Sequence, residues 1–257
     1  MSGLLPADFD ALLFEAVRLF WTTKGNKITH SQGGTRSSVL SGKHMDGFTQ
    51  IFQRVAQHAG LPEASILTRG ARLTLPGYFR ASKNWDAVVL HEGRLLAALE
   101  FKSQVGSFGN NQNNRIEEVV GLGHDFWTAR RHGLVEPVAR PDGETTEGEP
   151  LDIVEDPRPP FLGYLLLLED TPRSSKEPVS IAAGALGHDP VFTGATYADR
   201  YRIMAERLMS ERLYNGVGLM MSSQSDGDNG AYWTMSEATA PRALFRSFAA
   251  HLLGAVG

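Results

Sequence analysis

The stretch from Lys83 to Gln104 constrains the fold more than any other part of the sequence. It reads KNWDAVVLHEGRLLAALEFKSQ, in which two apolar runs flank a short polar connection that contains Gly93. Runs of this kind, joined by a few residues that include glycine, are typical of a β-hairpin. We therefore predict strands over residues 85–90 and 95–104 that pair in antiparallel fashion.

The second of these strands carries polar side chains on one face. Because side chains alternate along a strand, Glu100, Lys102 and Gln104 share a face, while Leu99 and Phe101 point to the other. Consecutive polar positions after a run of leucine and alanine are unusual for a strand that only supports a core. The alternation therefore indicates a polar site on that face.

The length of the hairpin connection decides whether a carboxylate of the first strand joins this site. A three-residue loop, Glu92 to Arg94, sets Asp86 directly opposite Glu100. A two-residue or four-residue loop would place the two carboxylates on opposite faces. We predict an odd-length loop or a bulge, so that Asp86, Glu100 and Lys102 lie side by side.

Two adjacent carboxylates and a lysine suit the hydrolysis of a phosphodiester. Neighbouring carboxylates repel each other and do not both ionise comfortably without a cation between them. Mg²⁺ prefers oxygen ligands of this kind, so we predict a magnesium site at Asp86 and Glu100. Lys102 would then position the attacking water or help to deprotonate it. The alternative is an exposed cross-strand charge pattern, with Asp86 at the end of a turn.

Longer motifs make this pattern specific. Asp86 followed by EFK at 100–102 resembles the PD-(D/E)XK nuclease signature, with Trp85 where the signature often has proline. The run EFKSQ, which ends at Gln104, resembles the extended Glu-x-Lys-x-Gln form of that signature. The run EFKSQVGSFGNNQNNRIEEVVGLGHDFW, together with SGKHMDGF and GYLLLLED, resembles the XhoI-type restriction endonucleases, most strongly over 85–127.

The resemblance implies a restriction-endonuclease-like fold, which is an α/β arrangement of a mixed β-sheet flanked by helices. It implies a homodimeric Type II enzyme that uses Mg²⁺ and cuts double-stranded DNA at the palindrome CTCGAG. Asp86, Glu100, Lys102 and Gln104 would be catalytic, and the first two would hold the metal. It also implies a cognate DNA methyltransferase in the cell, without direct contact. A structure-specific repair or recombination nuclease and a non-catalytic DNA-binding module of the same fold are the alternatives.

The rest of the chain predicts elements that fit such a fold. The expected helices cover 8–21, 46–58, 114–131, 196–213 and 241–253, and further strands cover 66–75, 161–168 and 216–221. Residues 22–42 are polar and basic, which predicts a long functional loop, and 136–160 predict an acidic surface excursion. This order is typical of a mixed-sheet α/β protein, and we expect residues 1–257 to form a single endonuclease domain.

The distribution of charge is compatible with DNA although the net charge of the chain is −4. No acid lies between Glu15 and Asp46 or between Glu63 and Asp86, and both segments contain several arginines and lysines. One face of the molecule could therefore bind a polyanion, although chance clustering in solvated loops is the alternative. The absence of cysteine excludes disulfides and fits a cytoplasmic location, and no apolar run is long enough to span a membrane.

Acids outside the hairpin are interpreted in two ways. Glu15 lies among apolar neighbours in the first predicted helix, where it would be a supporting, catalytic acid of the metal site. Its alternative is an ion pair with Arg18 at the edge of the helix. Glu117 and Glu118 lie near the predicted start of the helix over 114–131, where a carboxylate complements the helix dipole, and we interpret them as mainly structural.

The amide-rich run after the second strand of the hairpin is expected to read DNA. Amide and arginine side chains pair with the edges of adenine and guanine, so a loop beside the scissile site suits this role. Asn113 or Asn114 is expected to cap the following helix. Phosphate or base contacts are also expected from the basic residues before the second helix. The predicted DNA-binding residues are Arg36, Lys43, His44, Asn110, Asn111, Asn113, Asn114 and Arg115.

Overall fold

A mixed sheet of five strands lies at the centre of the molecule. The computed structural model describes residues 3–28, 43–135, 158–182 and 184–256. In order across the sheet, the strands are β1 (Ile66–Leu67), β4 (Ala87–His91), β5 (Arg94–Gln104), β6 (Phe161–Glu169) and β7 (Gly216–Ser222). β1, β4 and β5 pair antiparallel, whereas β5, β6 and β7 pair parallel. A separate small sheet joins β2 (Thr74–Pro76) to β3 (Ser82–Asn84).

Helices cover both faces of the central sheet, as predicted. They are α1 (Phe9–Ile28), α2 (Asp46–His58), α3 (Phe108–Arg131), α4 (Pro172–Ser175), α5 (Tyr197–Ser210), α6 (Gln224–Gly227) and α7 (Pro241–Val256). One apolar core lies between the sheet and α1, α2 and α7, and a second lies between the sheet and α3 and α5. Strands buried on both faces explain the unbroken apolar run of β6. No helix among the described residues has the length and apolar character needed to cross a bilayer.

Two predicted elements differ from the structure near the catalytic hairpin. The predicted strand over 66–75 is wrong, because Gly70 has a φ of 89° and directs the chain from β1 into the small second sheet. The predicted start of the third helix is also wrong. α3 begins at Phe108, directly after Ser107 in a left-handed conformation with a φ of 46°, so Asn113 and Asn114 lie inside the helix and do not cap it.

The segments predicted as a long loop and as an acidic excursion are only partly covered by the described residues. α1 continues through Ile28, so the first residues of the predicted loop are helical. Residues 29–42 and 136–157, which make up the rest of these two predictions, lie outside the described residues.

Candidate active site

A bulge in the hairpin sets the register of the candidate site. The turn has two residues, Glu92 and Gly93, with φ values of 50° and 73°, so the three-residue loop is wrong. The register shifts between Val89 and Leu90, after which Ala87 pairs with Leu99. The predicted bulge is therefore confirmed. The bulge shifts the pairing of the two strands by one residue, which places Asp86 opposite Glu100 on the face of the sheet that α3 covers.

The two carboxylates occupy different environments. The Glu100 side chain is 1% exposed, whereas Asp86 is partly exposed. Oδ2 of Asp86 accepts a hydrogen bond of 2.7 Å from the backbone N–H of Phe101. Burial, and then the negative charge of Glu100, raise the pKa of Asp86 to about 6 against the opposing effect of that hydrogen bond and of nearby lysines.

Two ammonium groups bracket the buried Glu100 carboxylate. Lys102 Nζ lies 2.5 Å from Oε1, and Lys83 Nζ lies 3.0 Å from Oε2. Lys102 also lies 3.2 Å from Oε1 of Glu118 on α3. Burial lowers the pKa of Lys102, but Glu100, Glu118 and Asp86 together outweigh burial and raise it above the usual value. Lys102 is therefore a charged hydrogen-bond donor at neutral pH.

Glu118 belongs to this site and not to the start of a helix. It lies in the interior of α3, so the interpretation as an acid that complements the helix dipole is wrong. Arg115 Nη1 lies 2.6 Å from Oε2 of Glu118 while Lys102 contacts the other oxygen. Burial raises the pKa of Glu118, but these two cations outweigh burial and lower it. The ionised Glu118 thus links Lys102 to Arg115.

The donor set fits a hard divalent cation. Asp86 and Glu100 present carboxylate oxygens on one face, and burial together with the charge of Glu100 raises the pKa of Asp86. The described residues contain no group of three or more histidines and acids that could hold a metal. A site of one or two carboxylates, completed by water and substrate phosphate, is the usual protein environment of Mg²⁺. The residues present therefore fit Mg²⁺.

Two of the predicted catalytic residues lie apart from the carboxylate pair. Gln104 is buried on the same face of β5, and its amide donates to the carbonyl of Gly106 in the turn before α3. Glu15 is exposed on α1 and forms an ion pair with Arg18, with 2.6 Å between the closest atoms. Arg18 lowers the pKa of the Glu15 carboxyl. The structure thus places Glu15 in the alternative environment, on a helix that covers the opposite face of the sheet.

The predicted DNA-binding residues fall into three groups. Asn113 and Asn114 are exposed on α3, and Asn111 is partly exposed in its first turn. His44 contacts Ser103 across 3.3 Å, on the face of β5 opposite Lys102, and Arg115 is held by Glu118. Their contacts with DNA stay predictions. Outside the described residues lie Arg36 and the side chains of Lys43 and Asn110.

Lys83 is the residue of this site that the sequence reasoning did not single out. Its contact with Glu100 joins residues 17 apart in the chain and comes from β3, a short polar strand that was not predicted. The available signal was its position three residues before Asp86, in a segment without acids.

Comparisons with known proteins agree on one family. The family model of restriction endonuclease XhoI matches residues 24–142 and 151–234. The chain is 39% identical over 209 residues to the Type II restriction enzyme XhoI of Xanthomonas vasicola, covering 79% of this chain and 76% of that protein. It is 38% identical over 205 residues to the Type II restriction enzyme BstVI of Geobacillus stearothermophilus, covering 77% and 82%. It is 41% identical over 179 residues to the Type II restriction enzyme AbrI of Azospirillum brasilense, covering 66% and 71%. No solved structure gives a significant match.

Proposed function

The chain belongs to the XhoI restriction endonuclease family of Type II enzymes, and we propose that Asp86, Glu100 and Lys102 form its active site. The observation that carries the assignment is the placement of two carboxylates and a charged lysine on one face of the hairpin. The proposed reaction is hydrolysis of a phosphodiester bond of double-stranded DNA by water.

The proposed roles follow from the environment of each group. Asp86 and Glu100 would hold Mg²⁺, which when bound supplies positive charge to the scissile phosphate and lowers the pKa of water. Lys102 is charged and contacts Glu100, so it would orient the attacking water and stabilise the negative charge that develops on the phosphate. Glu118 would keep the Lys102 ammonium in place from the side of α3.

We also propose that the enzyme recognises CTCGAG as a homodimer. The similarity to the XhoI enzyme of Xanthomonas vasicola supports this choice of site. A palindrome presents the same bases twice around a two-fold axis, which two identical protomers can read in the same way. The exposed Asn113 and Asn114 on α3 are candidates for this reading. A cognate methyltransferase, without direct contact with this chain, would protect the host DNA.

The test is a digest of a mapped plasmid that contains one CTCGAG site, in buffer with Mg²⁺. A matched plasmid differs from it by a single base pair within the site. We expect one linear product from the first plasmid and none from the second, and loss of cutting after methylation of the site. Lys102→Ala purified in the same way controls for contaminating nucleases.

Other outcomes would contradict the proposal in distinct ways. Cleavage of both plasmids at branched or unpaired positions would indicate a structure-specific nuclease. Specific binding with no nicking under any metal condition would indicate a non-catalytic DNA-binding module. A cleaved sequence other than CTCGAG would leave the active site in place and correct only the recognition site.

A further inference from the structure

Lys83 neutralises the same carboxylate as Lys102, yet the active-site motif does not contain it. Its Nζ lies 3.0 Å from Oε2 of Glu100 and also donates to the carbonyl of Asn84. The same ammonium lies 5.6 Å from the centroid of the Trp85 ring. The side chain is 22% exposed, so these contacts hold Lys83 at the active site rather than in solvent.

The segment that carries Lys83 is anchored to the protein. Between β2 and β3, the backbone N–H groups of Tyr78 and Phe79 donate to Oδ1 of Asp125 at 2.8 and 2.7 Å. Arg80 Nε lies 2.9 Å from Oδ2 of the same carboxylate, whose side chain is 4% exposed. Because Asp125 belongs to α3, the turn that leads into β3 is fixed on the helix that also carries Glu118. We call residues 74–84 the arm.

The two lysines differ in how firmly they are held. Lys102 has two carboxylate partners, Glu100 and Glu118, and belongs to the central sheet. Lys83 has one carboxylate partner and belongs to a sheet of only two short strands. A divalent cation that binds Glu100 must displace positive charge from one carboxylate oxygen, and Lys83 is the less strongly bound of the two groups.

We propose that Lys83 is a second cation of the active site. In the metal-free enzyme its ammonium pairs with Oε2 of Glu100, and it gives up this oxygen when the divalent cation binds. Released from Glu100 but held nearby by the arm, the ammonium then faces the DNA backbone as a phosphate contact. The proposal rests on the proposed function, since it assigns the metal to Asp86 and Glu100. Lys83 is a positioning residue for metal and substrate rather than a source or acceptor of protons.

The first consequence is that Lys83 weakens binding of the metal. In Lys83→Met the side chain keeps its length and loses its charge, so the metal can bind Glu100 without first breaking an ion pair. Charges a few ångströms apart at a protein site interact strongly, so we expect Ca²⁺ and Mg²⁺ to bind at least about tenfold more tightly. Isothermal titration calorimetry with each metal alone, without DNA, measures this directly.

The second consequence has the opposite sign. Without Lys83 the metal-loaded site has one phosphate contact fewer, so the enzyme in saturating Ca²⁺ should bind DNA more weakly. We expect a loss of about tenfold in a gel-shift titration in saturating Ca²⁺ at low salt, with a shallower salt dependence. Damage to the site without a specific role for Lys83 would weaken both metal and DNA binding, so the opposed signs identify the proposed role.

Two matched variants accompany Lys83→Met. Lys83→Arg keeps the positive charge and should bind metal within a few-fold of the parent protein. Arg54→Met removes a cation that pairs with Asp8 on the other face of the sheet, and it should change neither affinity. Circular dichroism of each variant verifies that the chain folds.

The outcomes separate this proposal from the function on which it rests. A parent protein that binds no divalent cation and cuts no DNA contradicts the proposed function. A parent protein that binds and cuts, beside a folded Lys83→Met that binds metal no more tightly, overturns the role of Lys83 alone. If Lys83→Met instead fails to fold, Asp125→Asn tests the same idea, because loosening Arg80 and the arm should also tighten metal binding. Unchanged metal affinity in that folded variant would overturn the proposal.

Discussion

The side chain of Asp86 accepts a hydrogen bond from the backbone N–H of Phe101, 2.7 Å away on the neighbouring strand. The bond joins Asp86, one candidate metal ligand, to the peptide that follows Glu100, the candidate ligand on β5. The register of β4 and β5 and the position of the carboxylate pair are therefore fixed by the same contact. Phe101 itself is buried in the core on the other face, which holds the donor in place.

Asp86→Asn should stabilise the metal-free protein at high pH. The pKa of Asp86 is raised to about 6 in the folded protein, so this carboxyl ionises at lower pH in the unfolded chain than in the folded one. The free energy of unfolding therefore falls as the pH rises from about 4 to 6. Above pH 6 the variant should exceed the parent by at most about 3 kcal/mol, from about two pKa units. Urea unfolding in chelator at pH 5 and 8 measures this.

The exposed Glu117 on α3 provides a control for that experiment, since Glu117→Gln also replaces a carboxylate by an amide. Because this side chain is exposed, Glu117→Gln should not show the gain in stability that Asp86→Asn shows at pH 8. An Asp86→Asn variant that is no more stable than the parent at pH 8 would show that the ionised Asp86 carboxylate does not destabilise the folded protein.

Lys102→Met should abolish cutting while DNA binding remains. The ammonium acts on water and on the charge of the transition state, and removing such a group commonly costs about a thousandfold or more in rate. A single-turnover cleavage assay and a gel-shift titration of the same preparation give the two numbers. Cleavage by Lys102→Met at near the parental rate would show that the assigned active site is incorrect.

Glu118→Ala should slow cleavage about tenfold without weakening the binding of DNA. The change leaves Lys102 paired with Glu100 alone and frees Arg115, so the lysine is less well oriented toward substrate. Glu117→Ala, one residue earlier on α3, is the matched control and should cut normally. Equal rates for the two variants would mean that Glu118 has no positioning role.

Cleavage should require a divalent cation. Asp86 and Glu100 form a partly to fully buried carboxylate pair on one face of the sheet, and such a pair ionises more readily with a cation between its members. We expect no cutting in excess chelator, full activity after Mg²⁺ is restored, and specific binding without efficient cutting in Ca²⁺. Full activity in chelator would exclude a metal-dependent mechanism.

The protein should sediment as a symmetric dimer, both free and on DNA. Two-fold symmetry of the palindrome calls for two copies of the same reading surface. Analytical ultracentrifugation would contradict the expectation if the chain behaved as a 28.1 kDa monomer under both conditions.

Alternation along β5 sufficed to predict the central part of the site. Because side chains alternate along a strand, Glu100 and Lys102 were expected on the same face. Asp86 could join them only if the hairpin connection had an odd number of residues or a bulge shifted the register. The bulge that shifts the register lies between Val89 and Leu90, in an apolar run where no residue marks it. The sequence therefore predicted a shift of register in the hairpin but not the position of that shift.

Other parts of the site depend on contacts that local patterns do not contain. The asparagine run before Arg115 favours turns and caps, yet packing places it in α3. Helical spacing put Glu15 among apolar residues but did not show which stripe of α1 faces the sheet. Lys83 reaches Glu100 from β3, which pairs with β2 in the separate small sheet, and Ser82–Asn84 is too short and polar to be predicted as a strand.

The position of Lys83 above Trp85 gives the enzyme an optical probe of its own. The emission of an indole responds to the field of a nearby charge, so movement of the ammonium away from the ring should shift Trp85 fluorescence during a titration with Ca²⁺. The chain has 4 tryptophans, and Trp85 is the one that lies beside Asp86 in sequence. A variant with the other three replaced by phenylalanine would report cation binding without labelled DNA and on the millisecond scale of stopped-flow mixing.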